Sequence, residues 1–314
     1  MATIEKPLVD RVPATSYFVV SAVFHYLGPS FAVLLFAHVD VLGVAWLRIA
    51  SAAVVFGIWR RPWRMLRDSE NRTTLIALGV VLAAMNSLFY LAIDRLPLST
   101  VGAIEFLGTV VLAAAGTRTR RNAFALVLAI AGVFVLTDVR LTGEPLGFVF
   151  AFANCAGFML YVILGHRVAN SGDSASRGAW TDGQRAASGD SVSRGAWTDG
   201  RRAASGDKLD RLGASMLIAA VAATPFAIGQ AAPAFTNPVW LLWGIGVGLC
   251  SSVIPYVTDQ LAMARMPRAT FALMLALLPA TATLIGLVVL SQVPTARDLA
   301  GVALVVAGVA WHRI

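Results

Sequence analysis

Charge is scarce in this chain: of its 314 residues only 13% are Asp, Glu, Lys or Arg, about half the roughly 25% usual in a soluble domain. An ordinary soluble globule is excluded from the start. Cysteine is nearly missing as well. Its two copies, Cys155 and Cys250, both fall inside apolar runs, which excludes a disulfide framework and a zinc-finger spacing. Both read as small core residues. The chain lacks H-E-x-x-H-type ligands and any cluster of nucleophile and base, so no catalytic residue, metal site or cofactor is expected. A net charge of +8 could suggest nucleic acid, yet no basic stripe is interleaved with exposed aromatics, and no such partner is expected. Nor is a cleavable signal expected. Residues 1–13 are short and polar, and the first apolar run is too long and has no small-residue cleavage site, so it serves as its own insertion signal.

What the chain has instead is apolar sequence: 58% of its residues, with a mean hydropathy of +0.74. Apolar stretches recur at 14–36, 40–59, 73–93, 98–116, 122–138, 146–168, 211–231, 238–259, 269–290 and 298–312. Most reach the ~20 residues that a helix rising 1.5 Å per residue needs to cross ~30 Å of hydrocarbon. They are continuous rather than alternating, which excludes a membrane β-barrel. The expected fold is an all-α polytopic membrane protein of ten transmembrane helices.

The basic residues give that bundle a direction. Placed on the alternating loops, 21 of the 25 Lys and Arg fall on one side. Arg95, Arg140 and Arg297 fall on the other, and Arg48 lies inside the second span. Without the long segment from Arg167 to Arg211 the ratio is still 13 to 3. Basic loops stay cytoplasmic. Both termini are therefore expected inside, in a multi-pass protein of the cell's inner membrane, with residues 1–13 as a cytoplasmic N-terminal segment.

Two internal repeats divide the chain. Residues 171–187 recur as 188–204 with 15 of 17 positions identical, and between 171 and 210 six acidic residues cancel six basic ones. Gly, Ser and Asp dominate there, so residues 169–210 are expected to be a disordered cytoplasmic linker. Within it, Trp180 and Trp197 could anchor at a lipid interface or mark a partner motif. The other repeat is older. LAIDRLPLST at 91–100 returns as LAMARMPRAT at 261–270, at a constant offset of 170, joining spans 3 and 4 outside and spans 8 and 9 inside. Five spans per half is an odd number, so the halves are inverted: residues 14–138 form the first five-helix repeat, and 146–168 with 211–314 form the second. Inverted repeats are characteristic of secondary transporters, which place a site between them.

Charged and amide side chains at membrane depth need a partner, an aqueous cavity or a function. Those within spans are His25, Arg48, Glu105, Asn86 and Asn154. Counting from the outer ends of their spans, Arg48 and Glu105 lie roughly 10–12 Å deep, with Asn86, Asn154 and nearby His25 in the same layer. The expectation is a central cavity where Glu105 binds a cationic group or a proton, while Arg48 pairs with it or meets a solute carboxylate. The plainer alternative is a buried Arg48–Glu105 pair that only fixes packing, with His25, Asn86 and Asn154 as hydrogen-bonded packing groups. Pro29, Pro225, Pro255 and Pro279 interrupt spans. Pro255 and Pro279, near Ser251, Ser252, Tyr256, Thr281 and Thr283, are the expected helix breaks of a gate or plain kinks. Gly244 and Gly248 read as a close helix contact.

WLRIASA followed by RRPWRM, MNSLFYLAIDRLPLSTVGAIEFLG, and IPYVTDQLAMARMPRATFALMLALLPA together resemble the EamA branch of the drug/metabolite transporter superfamily, nearest to its bacterial threonine/homoserine exporters. The resemblance implies efflux of amino acids of the threonine/homoserine type, with the proton as coupling ion, a small-molecule substrate and the lipid bilayer as partners. The competing expectation is a carrier of another solute, such as an aromatic metabolite, nucleobase or cationic drug. A non-transporting scaffold is a further alternative. Glu105 and Gly108 match the family's E-F-x-G segment, Arg48 its span-2 arginine, and Asn86, Phe89 and Tyr90 its N-x-L-F-Y segment, which implies site roles for Glu105, Arg48, Asn86 and Tyr90. Three departures stand out: Thr109 for a proline, Leu278 for a glutamate before Pro279, and Gln292 for a glutamate after span 9.

Overall fold

The computed structural model describes residues 13–60, 62–67, 72–115, 120–136, 144–161, 163–164, 194–263 and 278–311. Among the described residues there are helices and no strands. They are α1 (Ala14–Leu35), α2 (Val41–Arg60), α3 (Arg72–Ile93), α4 (Leu98–Ala115) and α5 (Arg120–Leu136). After these come α6 (Pro145–Tyr161) and α7 (Arg194–Ala227). The next helix, α8, runs through Pro238–Gly248, a π-turn at Leu249–Val253, and Ile254–Met263. Then follow α9 (Leu278–Leu290) and α10 (Ala296–Trp311). Five described segments are long and apolar enough to cross a membrane: Thr15–Leu35, Val41–Arg60, Arg72–Ile93, Leu209–Ala227 and Pro238–Asp259. Shorter apolar helices are Leu98–Gly108, Pro145–Tyr161 and Thr281–Leu290. Their outward faces carry Ile58, Val221, Phe226 and Val288, each more than two-thirds exposed. Such faces suit lipid and not water.

Helix ends follow the local sequence. Asn237 accepts a hydrogen bond from the Val239 amide (2.9 Å) at the start of α8, with Pro238 in the first helical turn. At α10, Thr295 and Asp298 form a reciprocal capping box: the Asp298 amide donates to Thr295 Oγ1 (3.2 Å) and the Thr295 amide to Asp298 Oδ2 (2.7 Å). α9 ends with Ser291 in the left-handed region at φ 53°, and the Gln292 amide bonds back to the Gly286 carbonyl at 3.1 Å. The Gln292 side chain then accepts from the Leu98 amide (3.2 Å) at the start of α4. Gln292 thus caps another helix. In the 91–100 repeat, Arg95 donates to the Leu91 carbonyl (2.9 Å) and pairs with Glu144 (3.1 Å) just before α6.

One expectation changes here. Residues 194–210, assigned to the disordered linker, are the first half of the α7 helix. Alanines and basic residues at 201–204 are good helix formers, and the apolar turns beyond Leu209 extend the helix without an N-terminal break. Asp210 also holds Arg60 at the end of α2, at 2.6 Å. The remainder of the linker, Trp180 and the 264–270 copy of the older repeat lie outside the described residues.

Packing brings the two halves together. α2 lies on α7, α3 on α7, α1 on α8 and α9, α4 on α9, and α5 on α10. The α2–α8 approach is closest at Gly244 and Gly248, as the sequence suggests. A Cβ at Gly244 would stand 2.7 Å from Leu47, and one at Gly248 would strike Ser51 Oγ. This contact sets the π-turn of α8 directly against Arg48.

Candidate functional site

Within the bundle lies a small, partly open cavity of about 30 Å3, lined by His25, Pro29, Arg48, Met85, Asn86, Phe89, Glu105, Asn154, Phe158, Tyr161 and Tyr256. Helices α1, α2, α3, α4, α6 and α8 each contribute to its wall. His25, Arg48, Asn86, Glu105 and Asn154, which helix rise counts into one layer, all line this cavity.

Glu105 is placed by the contact between α4 and α6. One turn further along, a Cβ at Gly108 would stand 2.9 Å from Cys155 Sγ, so only glycine lets the two helices approach there. That brings Glu105, 8% exposed, to the residue beside Cys155: Asn154 Nδ2 donates to Glu105 Oε1 at a long 3.4 Å. From α1, His25 Nε2 faces Glu105 Oε2 at 4.0 Å. Pro29 has no N–H, so the His25 carbonyl one turn earlier lacks its helix donor. Asn154 is fully buried, and its Oδ1 has no hydrogen-bond partner. Asn86 ties its Nδ2 to the Leu82 carbonyl (2.7 Å) of its own helix.

Arg48 is 6% exposed and faces the other way. Its Nε donates to Ser252 Oγ (3.0 Å) and its Nη2 to the Ser251 carbonyl (3.1 Å), both on the π-turn of α8. The Tyr90 ring lies beneath it, 5.4 Å from ring centroid to Cζ. It makes no ion pair with Glu105. Of the two expectations for Arg48, pairing with Glu105 or meeting a solute carboxylate, the pair is not formed: the guanidinium is taken up by α8, and carboxylate and guanidinium line one cavity separately. Both are buried, and each keeps hydrogen-bonding capacity that its neighbours do not use.

Tyr90 is not on the cavity wall. It is fully buried behind Arg48, edge-on to Phe36 and Phe89, with its hydroxyl towards Arg48 and Ser251. Pro255 follows the π-turn within α8, where Ser21 Oγ donates to its carbonyl at 3.4 Å. Pro279 is the second residue of α9, and its side chain lies outside the described residues. Cys155 belongs to the core, and Cys250 is free and half-buried.

The sequence reading did not assign the other wall of the cavity to the site. Met85, Phe89, Phe158, Tyr161 and Tyr256 make it apolar and largely aromatic. Part of this was legible: Asn154, Phe158 and Tyr161 are spaced i, i+4, i+7 and share one helical face, as do Met85 and Phe89 at i, i+4.

Residues 201–313 match the EamA-like transporter family. The threonine/homoserine exporter RhtA of Salmonella typhimurium (strain LT2) is 27% identical over 287 residues, covering 89% of this chain and 84% of its own. The RhtA exporter of Escherichia coli (strain K12) is 28% identical over the same length and coverage. A solved crystal structure shares the fold, with a TM-score of 0.53 and 18% identity across 95% of this chain and 96% of its own. Over most of its length the chain is thus similar to proteins named as exporters, and its residues 201–313 are similar to EamA-like transporters.

Proposed function

We propose that the chain is a secondary active exporter that moves small zwitterionic metabolites, amino acids of the threonine/homoserine type, out of the cytoplasm in exchange for protons. The observation that carries this reading is one cavity holding a buried carboxylate, Glu105, and a buried guanidinium, Arg48, that are not paired with each other. A solute with one ammonium and one carboxylate matches them: the ammonium goes to Glu105 and Asn154 Oδ1, the carboxylate to Arg48. When no solute is present Glu105 can carry a proton instead. Water exclusion strengthens both contacts. The names of the exporters to which the chain is similar agree with this chemistry.

An alternating-access carrier built of two inverted five-helix repeats is the matching architecture. Its support is a contact pattern that repeats when each helix is exchanged for the one five places away. α3 packs on α7 as α8 packs on α2, and α4 packs on α9, and α5 on α10, as self-equivalent pairs. α1 meets α8 near Gly28 as α6 meets α3 near Gly157. Pro255 and Pro279 are the flexion points, and the basic loops keep both termini in the cytoplasm.

The aromatic wall of Phe89, Phe158, Tyr161 and Tyr256 favours a second reading, in which the solute carries a larger planar or apolar group. Liposomes containing the purified full chain, given an imposed pH gradient and a panel of amino acids and aromatic metabolites, distinguish the two. Gradient-driven movement of threonine and homoserine supports the first reading. Movement confined to aromatic solutes supports the second, and movement of none removes both.

A further inference from the structure

Pro255 cannot donate a backbone hydrogen bond, and it stands just after the π-turn, where the Ile254 amide reaches five residues back to the Leu249 carbonyl. Ser251 O is the acceptor that Arg48 Nη2 fills at 3.1 Å. The next residue, Ser252, supplies the hydroxyl that takes Nε at 3.0 Å. Both groups are nearly inaccessible, with Ser251 at 1% and Ser252 at 2% exposure. The π-turn at Leu249–Val253 presents the pair, and the Gly248 contact holds that turn against the backbone of Arg48. The Ser251 hydroxyl is spent on the Val247 carbonyl at 2.6 Å, which leaves Ser252 as the side chain of α8 that orients the guanidinium. Arg48 therefore crosses from one half of the protein to the π-turn of the other.

We propose that Ser252 is a positioning residue for solute selection. Its hydroxyl, with the Ser251 carbonyl, fastens two nitrogens of Arg48 to α8, so that the remaining Nη1 edge is the one offered to a solute carboxylate. This rests on the reading of Arg48 as the carboxylate site. Ser252 touches no solute itself. It acts by fixing which way a planar donor fork points, and a guanidinium turned by a few tens of degrees loses its fit to a carboxylate. An attachment to α8 also means that bending at the π-turn or at Pro255 carries the guanidinium with it, which ties affinity for the carboxylate to the conformation of the carrier.

The test compares wild type, Ser252→Ala and Ser252→Thr as full-length protein in liposomes. Each is supplied with an α-amino acid and with the same amino acid as its amide. Ser252→Ala is expected to raise the apparent KM for the acid by about tenfold, equivalent to ~1.4 kcal/mol. The KM for the amide and the maximal rates should stay within about twofold, and Ser252→Thr, which keeps the hydroxyl, should restore the acid. A general structural loss would move acid and amide together, and that result overturns the proposal. A second arm needs no solute. In detergent micelles the Nε–H resonance of Arg48, identified by its disappearance in Arg48→Lys, should be protected from exchange in wild type and in Ser252→Thr, and unprotected in Ser252→Ala. Unchanged protection in Ser252→Ala overturns the clamp. If wild-type protein does not distinguish acid from amide, the carboxylate reading of Arg48 fails, and the clamp is decided by the resonance alone.

Discussion

His25 Nε2 stands 4.0 Å from Glu105 Oε2, joining α1 to α4 across the cavity wall. That distance is beyond a formed hydrogen bond and at the limit of an ion pair. His25 therefore adjusts the field at Glu105 without locking it. We predict that His25→Gln lowers the solute flux of reconstituted protein by less than about tenfold, which corresponds to under ~1.4 kcal/mol. An abolished flux would make His25 indispensable and contradict this weaker role.

Arg48 has a structural duty as well. Removing it strands the Ser251 carbonyl and the Ser252 hydroxyl, both buried. An unsatisfied buried group costs about 1–3 kcal/mol. Arg48→Ala should therefore lower the thermal unfolding midpoint in detergent. An unchanged midpoint would contradict this structural duty.

Much of this site could be read from the chain before any coordinates. A rise of 1.5 Å per residue and alternating loop charge sufficed to put Arg48, Glu105, Asn86 and Asn154 at one depth, and they do share one cavity. The partner of Arg48 could not be read in this way. Helix rise gives depth but not azimuth, so a carboxylate at the same depth looked as good as a carbonyl on α8. The two serines that receive the guanidinium were visible, but that they meet Arg48 depends on the Gly248 contact with α2. The position of Tyr90 has a related reason. It directly follows Phe89, so its side chain leaves the helix roughly 100° away, behind Arg48 rather than into the cavity.

Gly248 is the third test. A Cβ there would strike Ser51 Oγ and stand 2.8 Å from the Arg48 carbonyl. Gly248→Ala is expected to cost about 1–3 kcal/mol, as overpacking of a filled interface does. It should also push the π-turn away from Arg48. Unfolding in detergent reads the first effect, and loss of Arg48 Nε–H protection reads the second. A fully stable variant with protection intact would show that the two helices have slack at this point.

Ser291 offers a change in the opposite direction. It holds a φ of 53° at the end of α9, where L side chains are disfavoured and glycine is usual. Ser291→Gly removes that strain and should stabilise the protein by about 0.5–1 kcal/mol, within the span of glycine's backbone effects. A lower unfolding midpoint would show that the serine side chain contributes more than its backbone costs.

The central claim is that Glu105 exchanges a proton for a solute. Glu105→Gln keeps the size of the side chain and an oxygen to accept from Asn154, while removing the titrating group. In liposomes containing a pH-sensitive dye, adding solute to wild-type protein should drive proton movement in the opposite direction to solute movement, and the variant should show no solute-driven proton movement. Equal proton and solute fluxes in the two proteins would contradict the account.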